Sequence, residues 1–208
     1  MIARMRRLAT LLALLPVLFS HEPAAQPAGE EIGTWRLTCT QDRMTDRTAC
    51  LLRHRDWVEP PGGSAPGLVL EVVDRGGRLL PAVTARDLSL ESASRGLLAL
   101  TGTVQLRFPP NRFVEMPCGL EGRSLVCAPR ESDAARMEQE LPQAERVLLR
   151  MTGLGSGGST AEPRELPLAG TREALARFRQ RVPPSPPDSA PALDGRELLQ
   201  RLQRLFGN

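Results

Sequence analysis

The sequence predicts an all-β domain, an antiparallel β-sandwich or barrel-like fold held by two hairpin disulfides. Three observations favour this fold class. Short runs with strand-like alternation are separated by Pro, Gly and charged residues. Four cysteines form two pairs, and each pair flanks a turn. Within the domain, only the segments 131–141 and 171–181 have the composition or periodicity of short helices.

Residues 1–25 have the layout of a secretory signal peptide. Three arginines precede an apolar run from Leu8 to Phe19, and small and polar residues follow up to Ala25. A transmembrane helix needs about 20 apolar residues, whereas this run is shorter and contains Pro16. We therefore expect an exported protein that is cleaved after Ala25, with its domain at 26–181.

The charge balance argues against a nucleic-acid partner. The chain has 27 basic and 24 acidic residues, and removal of residues 1–25, with three arginines and Glu22, leaves 24 and 23. The sequence pI of 9.0 is therefore due largely to the predicted signal peptide and does not indicate a nucleic-acid-binding surface. Aromatic residues, which could stack on bases, make up only 3% of the chain. The absence of Lys and Tyr excludes lysine Schiff bases, phosphate-loop lysines and tyrosine acids.

The first predicted element is a hairpin in residues 33–50, GTWRLTCTQDRMTDRTAC. Apolar and polar residues alternate, so Trp35 and Cys39 fall on one strand face. If Cys39 and Cys50 are directly opposite each other, the turn centres on residues 44–45. Both cysteines then point inward beside the tryptophan.

The second hairpin places Cys118 opposite Cys127 with Gly122 at the first central position, which suits a type II′ turn. Neither cysteine pair has the C-x-x-C spacing of a zinc site, and His54 is the only histidine after the leader. Four cysteines allow three connectivities. We favour the two local disulfides, each worth about 3 kcal/mol on the chain-entropy model.

The remaining domain reads as strands and two helices. A loop rich in Pro and Gly, 56–67, follows the first hairpin and contains Trp57. Predicted strands cover 67–74, 78–83, 96–108, 112–116, 145–153 and 163–168. Ser132 is the expected N-cap of the first helix, and Thr171 is the expected cap of the second.

The end of the chain has a different character. Residues 182–193 form a Pro-rich linker, and residues 194–208 predict an amphipathic helix. Its apolar stripe contains Leu198, Leu199, Leu202, Leu205 and Phe206. Three interpretations remain open: a helix that docks back on the domain, a helix that binds a partner or a membrane surface, and a disordered tail.

No recognisable catalytic constellation is present. His54 shares a strand face with Cys50 and has no partner nucleophile in a G-x-S-x-G frame, so we expect a structural role. The loop GLGSGGST, residues 153–160, lacks the G-K-[ST] ending of a phosphate loop. Glu30 and Glu31 are expected to be solvated. We therefore expect no enzyme activity, no cofactor and no metal. Trp57 is either an exposed anchor for a partner or a side chain packed over the first hairpin.

The order of these features resembles the invasion-associated locus B family of exported bacterial proteins. The resemblance covers roughly residues 31–181 and rests on GTWRLTC with a second cysteine, the later cysteine pair, a helix-like segment before VLLRM, and LPLAGTREALARF. It departs in the longer spacing between Cys118 and Cys127 and in the Pro-rich tail. The resemblance implies a periplasmic or envelope-associated β protein without cofactor or established catalytic residues, and a link to host-cell invasion.

The sequence thus predicts a non-catalytic, exported binding protein that contributes to host-cell interaction or invasion. Its predicted location is the periplasm or the outer envelope, with secretion from the cell as a further option. A housekeeping periplasmic module that supports envelope integrity is the alternative, and an uncharacterised enzyme is the third. The predicted partner is a protein at the envelope or host surface, contacted through Trp57 or the stripe Leu198, Leu202, Leu205 and Phe206, with membrane-surface contact by the terminal helix as a further option.

Overall fold

A computed structural model describes residues 29–46, 48–62, 67–88, 102–152, 162–184 and 193–194. The predicted signal peptide, the loop 153–160 and nearly all of the predicted linker and terminal helix lie outside these residues. The strands are β1 (Glu30–Ile32), β2 (Trp35–Gln41), β3 (Thr48–Glu59), β4 (Leu68–Arg75), β5 (Arg78–Ala85), β6 (Thr103–Arg107), β7 (Val114–Glu121), β8 (Ser124–Cys127), β9 (Arg146–Thr152), β10 (Arg164–Pro167) and β11 (Leu193–Asp194). The helices are α1 (Glu131–Glu140), α2 (Thr171–Arg181) and a 3₁₀ turn at Leu141–Gln143.

The strands form one antiparallel sheet in the order β1-β2-β3-β4-β5-β8-β7-β6-β9-β10, and β11 pairs with β7. The two ends of this order meet. The Thr34 N–H donates to the Ala169 carbonyl at 3.0 Å, and the Ala169 N–H donates to Thr34 Oγ1 at 3.1 Å. The predicted all-β fold class is therefore confirmed, and the junction of the two ends gives it a barrel-like closure.

The first hairpin has the predicted register. Cys39 lies directly opposite Cys50, and the last paired residues before the turn are Gln41 and Thr48. The sulfurs form a disulfide across the two strands, with the Cα atoms 4.0 Å apart. Trp35 and Leu37 lie buried on the same face, so the alternating pattern predicted the inner face correctly.

The second hairpin is also confirmed. Cys118 lies opposite Cys127, and their disulfide joins Cα atoms 3.9 Å apart. Gly122 has a φ of 58°, whereas Arg123 has no positive φ, which is the combination a type II′ turn requires. Strand β7 runs past the predicted end at residue 116. It continues through Pro117 because pairing changes there from β6 to β8.

Both predicted helices are present, but their predicted caps are wrong. The N-cap of α1 is Arg130 and has no side-chain cap hydrogen bond, and Ser132 lies inside the helix. The N-cap of α2 is Gly170 in the left-handed conformation, with a φ of 74°. The Thr171 hydroxyl instead accepts a hydrogen bond from Trp35 Nε1 at 3.0 Å, so a tertiary contact takes the place of the local cap.

The core lies between the inner face of the sheet and the two helices. Helix α1 packs against β5, and α2 packs against β2 and β3. The largest buried side chains include Trp35, Leu52, Leu70, Leu106, Phe108, Met116, Met137, Leu149 and Phe178. The predicted face of α2 is correct, since Phe178 is buried and Leu175 packs against the core.

Candidate binding surface

Trp57 lies on a strand, and the prediction that it sits in a loop is wrong. Strand β3 extends to Glu59, and Trp57 is paired with Val69 of β4. The register shifts on both sides of Trp57, so the strand bulges where this side chain emerges. The aromatic and β-branched pair Trp57-Val58 favours a strand and extends it as far as the two prolines. Trp57 is 37% exposed.

The Trp57 indole packs closely against Gly67. A Cβ atom built on Gly67 would lie 2.6 Å from Trp57 Cζ3 and 2.8 Å from Pro61 Cδ. Only glycine therefore lets the tryptophan and proline rings come this close to the backbone. The indole is thus fixed on one side while part of it remains open to solvent.

An ion pair lies on the same outer face of the sheet. The Glu71 side chain is 2% exposed and pairs with Arg86, whose Nη2 lies 2.5 Å and whose Nε lies 3.1 Å from Glu71 Oε2. Glu71 is two residues along β4 from Val69, so it is about 7 Å from the strand position next to Trp57. Arg53 is directly opposite Glu71 on β3.

These residues give the surface its chemistry. Arg86 is about one-third exposed and is oriented by a buried carboxylate. It follows β5, two residues after Thr84, which pairs with the Val69 that also pairs with Trp57. Trp and Arg, with Tyr, are the residue types enriched among those that dominate protein interfaces. We call Arg53, Trp57 and Arg86, together with the buried Glu71 that orients Arg86, the Trp57 surface. The arrangement suits binding of a protein partner.

Sequence reasoning missed Glu71 and Arg86. The available signal was Glu71 itself, the only charged residue in the apolar run LVLEVV at 68–73. A carboxylate inside such a run predicts a buried charge with a partner. The sequence does not reveal that the partner is Arg86, which follows the next strand.

His54 lies on the inner face and takes part in no surface. It is buried, its Nε2 donates to the Pro167 carbonyl at 2.8 Å, and its Nδ1 accepts from the Asp56 N–H at 3.0 Å. Its ring packs edge-on against Trp35, with the centroids 5.7 Å apart. Both ring nitrogens are thus engaged by backbone groups, with the proton assigned to Nε2. His54 joins the first hairpin to the end of β10.

The cysteines and the terminal stripe complete the set of predicted site residues. Cys39, Cys50, Cys118 and Cys127 are all in disulfides. Leu198, Leu202, Leu205 and Phe206 lie outside the described residues, so their predicted partner contact stays a prediction. Among the described residues, no group of three or more His, Cys, Asp or Glu side chains could hold a metal ion.

A shallow cavity of about 400 Å³ lies where α2 begins, between the 3₁₀ turn and residues 168–173. The Arg172 Nε donates to the Pro142 carbonyl across its rim at 3.0 Å. Glu145 and Glu173 line the cavity, so acidic side chains adjoin the helix N-terminus. Across the described ranges, we found no helix with the length and apolar character needed to cross a membrane.

Comparison with known proteins gave one structural likeness. No protein-family model and no curated protein sequence matches this chain. Among solved structures, the chain is similar to invasion associated protein B from Bartonella henselae, with 15% sequence identity and a TM-score of 0.42. The match covers 73% of this chain and 96% of that one. Membership of the invasion-associated locus B family remains a prediction from the sequence.

Proposed function

We propose that this chain is an exported, non-catalytic binding protein of the cell envelope that contacts a protein partner through the Trp57 surface. The observation that carries the proposal is the partly exposed indole, fixed against Gly67 and Pro61. A fixed aromatic side chain loses little conformational entropy on binding. Arg86, held by the buried Glu71, adds a charged contact two strands away from Trp57.

Two observations support export. The N-terminal 25 residues have the layout of a signal peptide, and both cysteine pairs form disulfides. Disulfides persist in oxidising compartments and are rare in the reducing cytosol. The protein is accordingly placed, within this proposal, in the periplasm, in the outer envelope or outside the cell.

The engagement of the reactive side chains supports a non-catalytic role. Backbone groups occupy both nitrogens of His54, and disulfides occupy the four cysteine sulfurs. The residue types that most often serve as general base or nucleophile are thus committed to structure at these positions. Binding is therefore the function favoured over an uncharacterised enzyme.

The location of the partner distinguishes a host-interaction protein from a periplasmic module. Protease added to intact cells should degrade a protein that acts at the host interface. Protection until the outer membrane is opened would instead favour the housekeeping role in envelope integrity. Crosslinked pull-down with the full chain then identifies the partner in the compartment so defined.

The role of Trp57 is tested with that partner and two matched variants. We expect Trp57→Ala to weaken binding about tenfold or more, the effect of a dominant interface residue. Phe113→Ala is the control, because Phe113 is 52% exposed and lies before β7, outside the Trp57 surface. Circular dichroism confirms that both variants are folded. Unchanged binding by Trp57→Ala, or an equal loss with Phe113→Ala, would refute the assignment of this surface.

A further inference from the structure

A row of four charged residues crosses the outer face of the sheet, from β1 to β4. Glu31 lies opposite Arg36, Arg36 lies opposite Arg53, and Arg53 lies opposite Glu71. Side chains that lie directly opposite each other on neighbouring strands are close enough to interact. The row passes one side of the Trp57 position, so it contributes charge to the Trp57 surface.

Both carboxylates of this row are already bound by arginines of the chain. Glu31 accepts from Arg36 at 2.6 Å and from Arg55 at 3.3 Å. Glu71 accepts from Arg86, through Nη2 at 2.5 Å and Nε at 3.1 Å. Pairing with a carboxylate is thus the way in which Arg36, Arg55 and Arg86 satisfy their charges on this face.

Arg53 differs from these arginines because it has no carboxylate. Across the ranges that the structure describes, its guanidinium makes no ion pair and no hydrogen bond, although the residue is partly buried. Its neighbour on β2 is Arg36, and like charges directly opposite each other destabilise a sheet. A charge that loses water without gaining a partner costs further free energy. Such conflicts between local rules and the fold are expected at functional sites.

We propose that Arg53 binds a carboxylate from an acidic, extended segment of the partner protein, whose neighbouring apolar side chain packs on Trp57. The inference rests on the proposed function and specifies the chemistry of the partner. The positions opposite Arg53 and Trp57 on β4 are Glu71 and Val69, two residues or about 7 Å apart. Side chains two residues apart in an extended peptide have the same spacing. One segment can therefore place an acidic residue at Arg53 and an apolar residue at the indole.

Charge complementarity favours an acidic partner over a neutral or basic one. An acidic side chain supplies Arg53 with the group that binds the other arginines of this face, in the planar geometry that suits a guanidinium. Its negative charge also offsets the repulsion between Arg36 and Arg53. Binding thus removes an unfavourable arrangement of the free protein as well as adding new contacts.

Two synthetic peptides test the charge of the partner. One contains three Glu-Ser-Leu-Ser repeats, and in the other each Glu is replaced by Gln. In an NMR titration of the isotope-labelled full chain, the Glu peptide should shift the Arg53 and Trp57 signals with a Kd of about 1 mM. The Gln peptide should bind at least about fivefold more weakly. Added salt should weaken binding of the Glu peptide.

Two variants test the role of Arg53. Arg53→Gln should weaken binding of the Glu peptide at least about fivefold without lowering the midpoint of urea denaturation, because Arg53 has no partner to lose. The matched control is Arg146→Gln, since Arg146 is an exposed arginine of β9, outside the Trp57 surface. It should bind the peptide as the wild type does. A lower denaturation midpoint for Arg53→Gln would show that Arg53 serves the fold, and would overturn the proposal.

Equal binding of the two peptides, or no binding of either, would also overturn the proposal. So would Arg53-dependent binding to phosphatidylglycerol vesicles in place of the Glu peptide. The proposed function is tested separately, with the partner captured by pull-down. If Trp57→Ala weakens binding of that partner and Arg53→Gln does not, the Trp57 surface stands and its acidic partner is rejected.

Discussion

The Thr171 hydroxyl joins α2 to the first hairpin. It accepts a hydrogen bond from Trp35 Nε1 at 3.0 Å, and both residues are buried. Its removal would leave the indole N–H without a partner in the core, away from water. This single contact therefore links positions 136 residues apart in the chain.

Two substitutions at Thr171 separate its hydrogen bond from its packing. Thr171→Val keeps the shape but removes the acceptor, so we expect the free energy of unfolding to fall by about 1 to 3 kcal/mol. Thr171→Ser keeps the oxygen and should cost about 1 kcal/mol or less. Urea denaturation monitored by tryptophan fluorescence measures both. Equal costs would show that packing, and not the hydrogen bond, determines the role of Thr171.

Glu31 lies at the surface between two guanidinium groups. Its carboxylate accepts from Arg36 at 2.6 Å and from Arg55 at 3.3 Å. The hydrogen bond from the Arg36 side chain, followed by that from Arg55, lowers the pKa of Glu31 below its ordinary value of 4.5. The sequence prediction that Glu31 is solvated is correct for its exposure but missed these ion pairs.

The direction of the Glu31 pKa shift determines how the stability from its two ion pairs depends on pH. Because the folded pKa lies below the unfolded value, the stabilisation is complete above pH 4.5 and is lost as the pH falls through the folded pKa. Carboxyl NMR titration should give a midpoint below 4.5 for Glu31, and Arg36→Gln should raise it. The internal control is Asp42, whose pKa is lowered by the Met44 N–H and the Thr45 hydroxyl and should not change. A wild-type midpoint at or above 4.5 would contradict the ion pairs.

Two turns show how similar backbone conformations differ in their surroundings. Gly33, between β1 and β2, and Gly122, between β7 and β8, both have a φ of 58°. A Cβ atom on Gly33 would lie 2.1 Å from the Ala169 carbonyl oxygen, whereas a Cβ on Gly122 has nothing within 4 Å. Gly33 is required both by its positive φ and by the close approach of the Ala169 carbonyl. Gly122 is required by its positive φ alone.

Alanine at each position should separate these two requirements. Gly122→Ala should cost about 1 to 2 kcal/mol for the left-handed backbone. Gly33→Ala should cost clearly more, because the new methyl group must displace Ala169 and weaken its hydrogen bond from the Thr34 N–H. Urea denaturation gives the two costs, and hydrogen exchange at Thr34 should accelerate only in Gly33→Ala. Similar stabilities for the two variants would contradict this expectation. They would mean that Ala169 can move away from the new methyl group at little cost in free energy.

The elements that could be predicted are those whose pattern is local. The hairpin registers followed from period-two alternation and from cysteines that must face each other. Strands β1 and β11, with three and two residues, are too short to produce a pattern. The position of β8 between β5 and β7 depends on pairing between segments distant in sequence. For the same reason Trp57 could be identified as a candidate, while the Glu71–Arg86 pair beside it could not.

At the scale of the whole molecule, the ends of the described domain hold each other. Thr34 bonds to Ala169, His54 bonds to Pro167, and α2 covers the strands of the first hairpin. Trp57 belongs to β3, so these contacts at the start and end of the domain fix the strand that carries the Trp57 surface.

Arg179 makes the last of these connections, and its replacement should lower the free energy of unfolding of the domain. Its guanidinium pairs with Asp74, whose side chain is 6% exposed, and Nη2 donates to the Gly77 carbonyl at 2.7 Å. Asp74 also accepts from the Gly77 N–H at 2.9 Å, so one arginine fixes α2 on the β4–β5 turn. Arg179→Gln should cost about 2 to 3 kcal/mol, below the cost for a fully buried pair because Arg179 is partly exposed.

Arg177→Gln is the matched control on the same helix, because Arg177 is exposed and its pairs with Glu30 and Glu173 are both 3.8 Å long. It should change the free energy of unfolding by no more than about 0.5 kcal/mol. Hydrogen exchange should speed up in the β4–β5 turn of Arg179→Gln and stay unchanged in Arg177→Gln. If the two variants are equally stable, the burial of Phe178 and Ala174 holds α2 in place, and the Arg179–Asp74 ion pair adds no measurable stability.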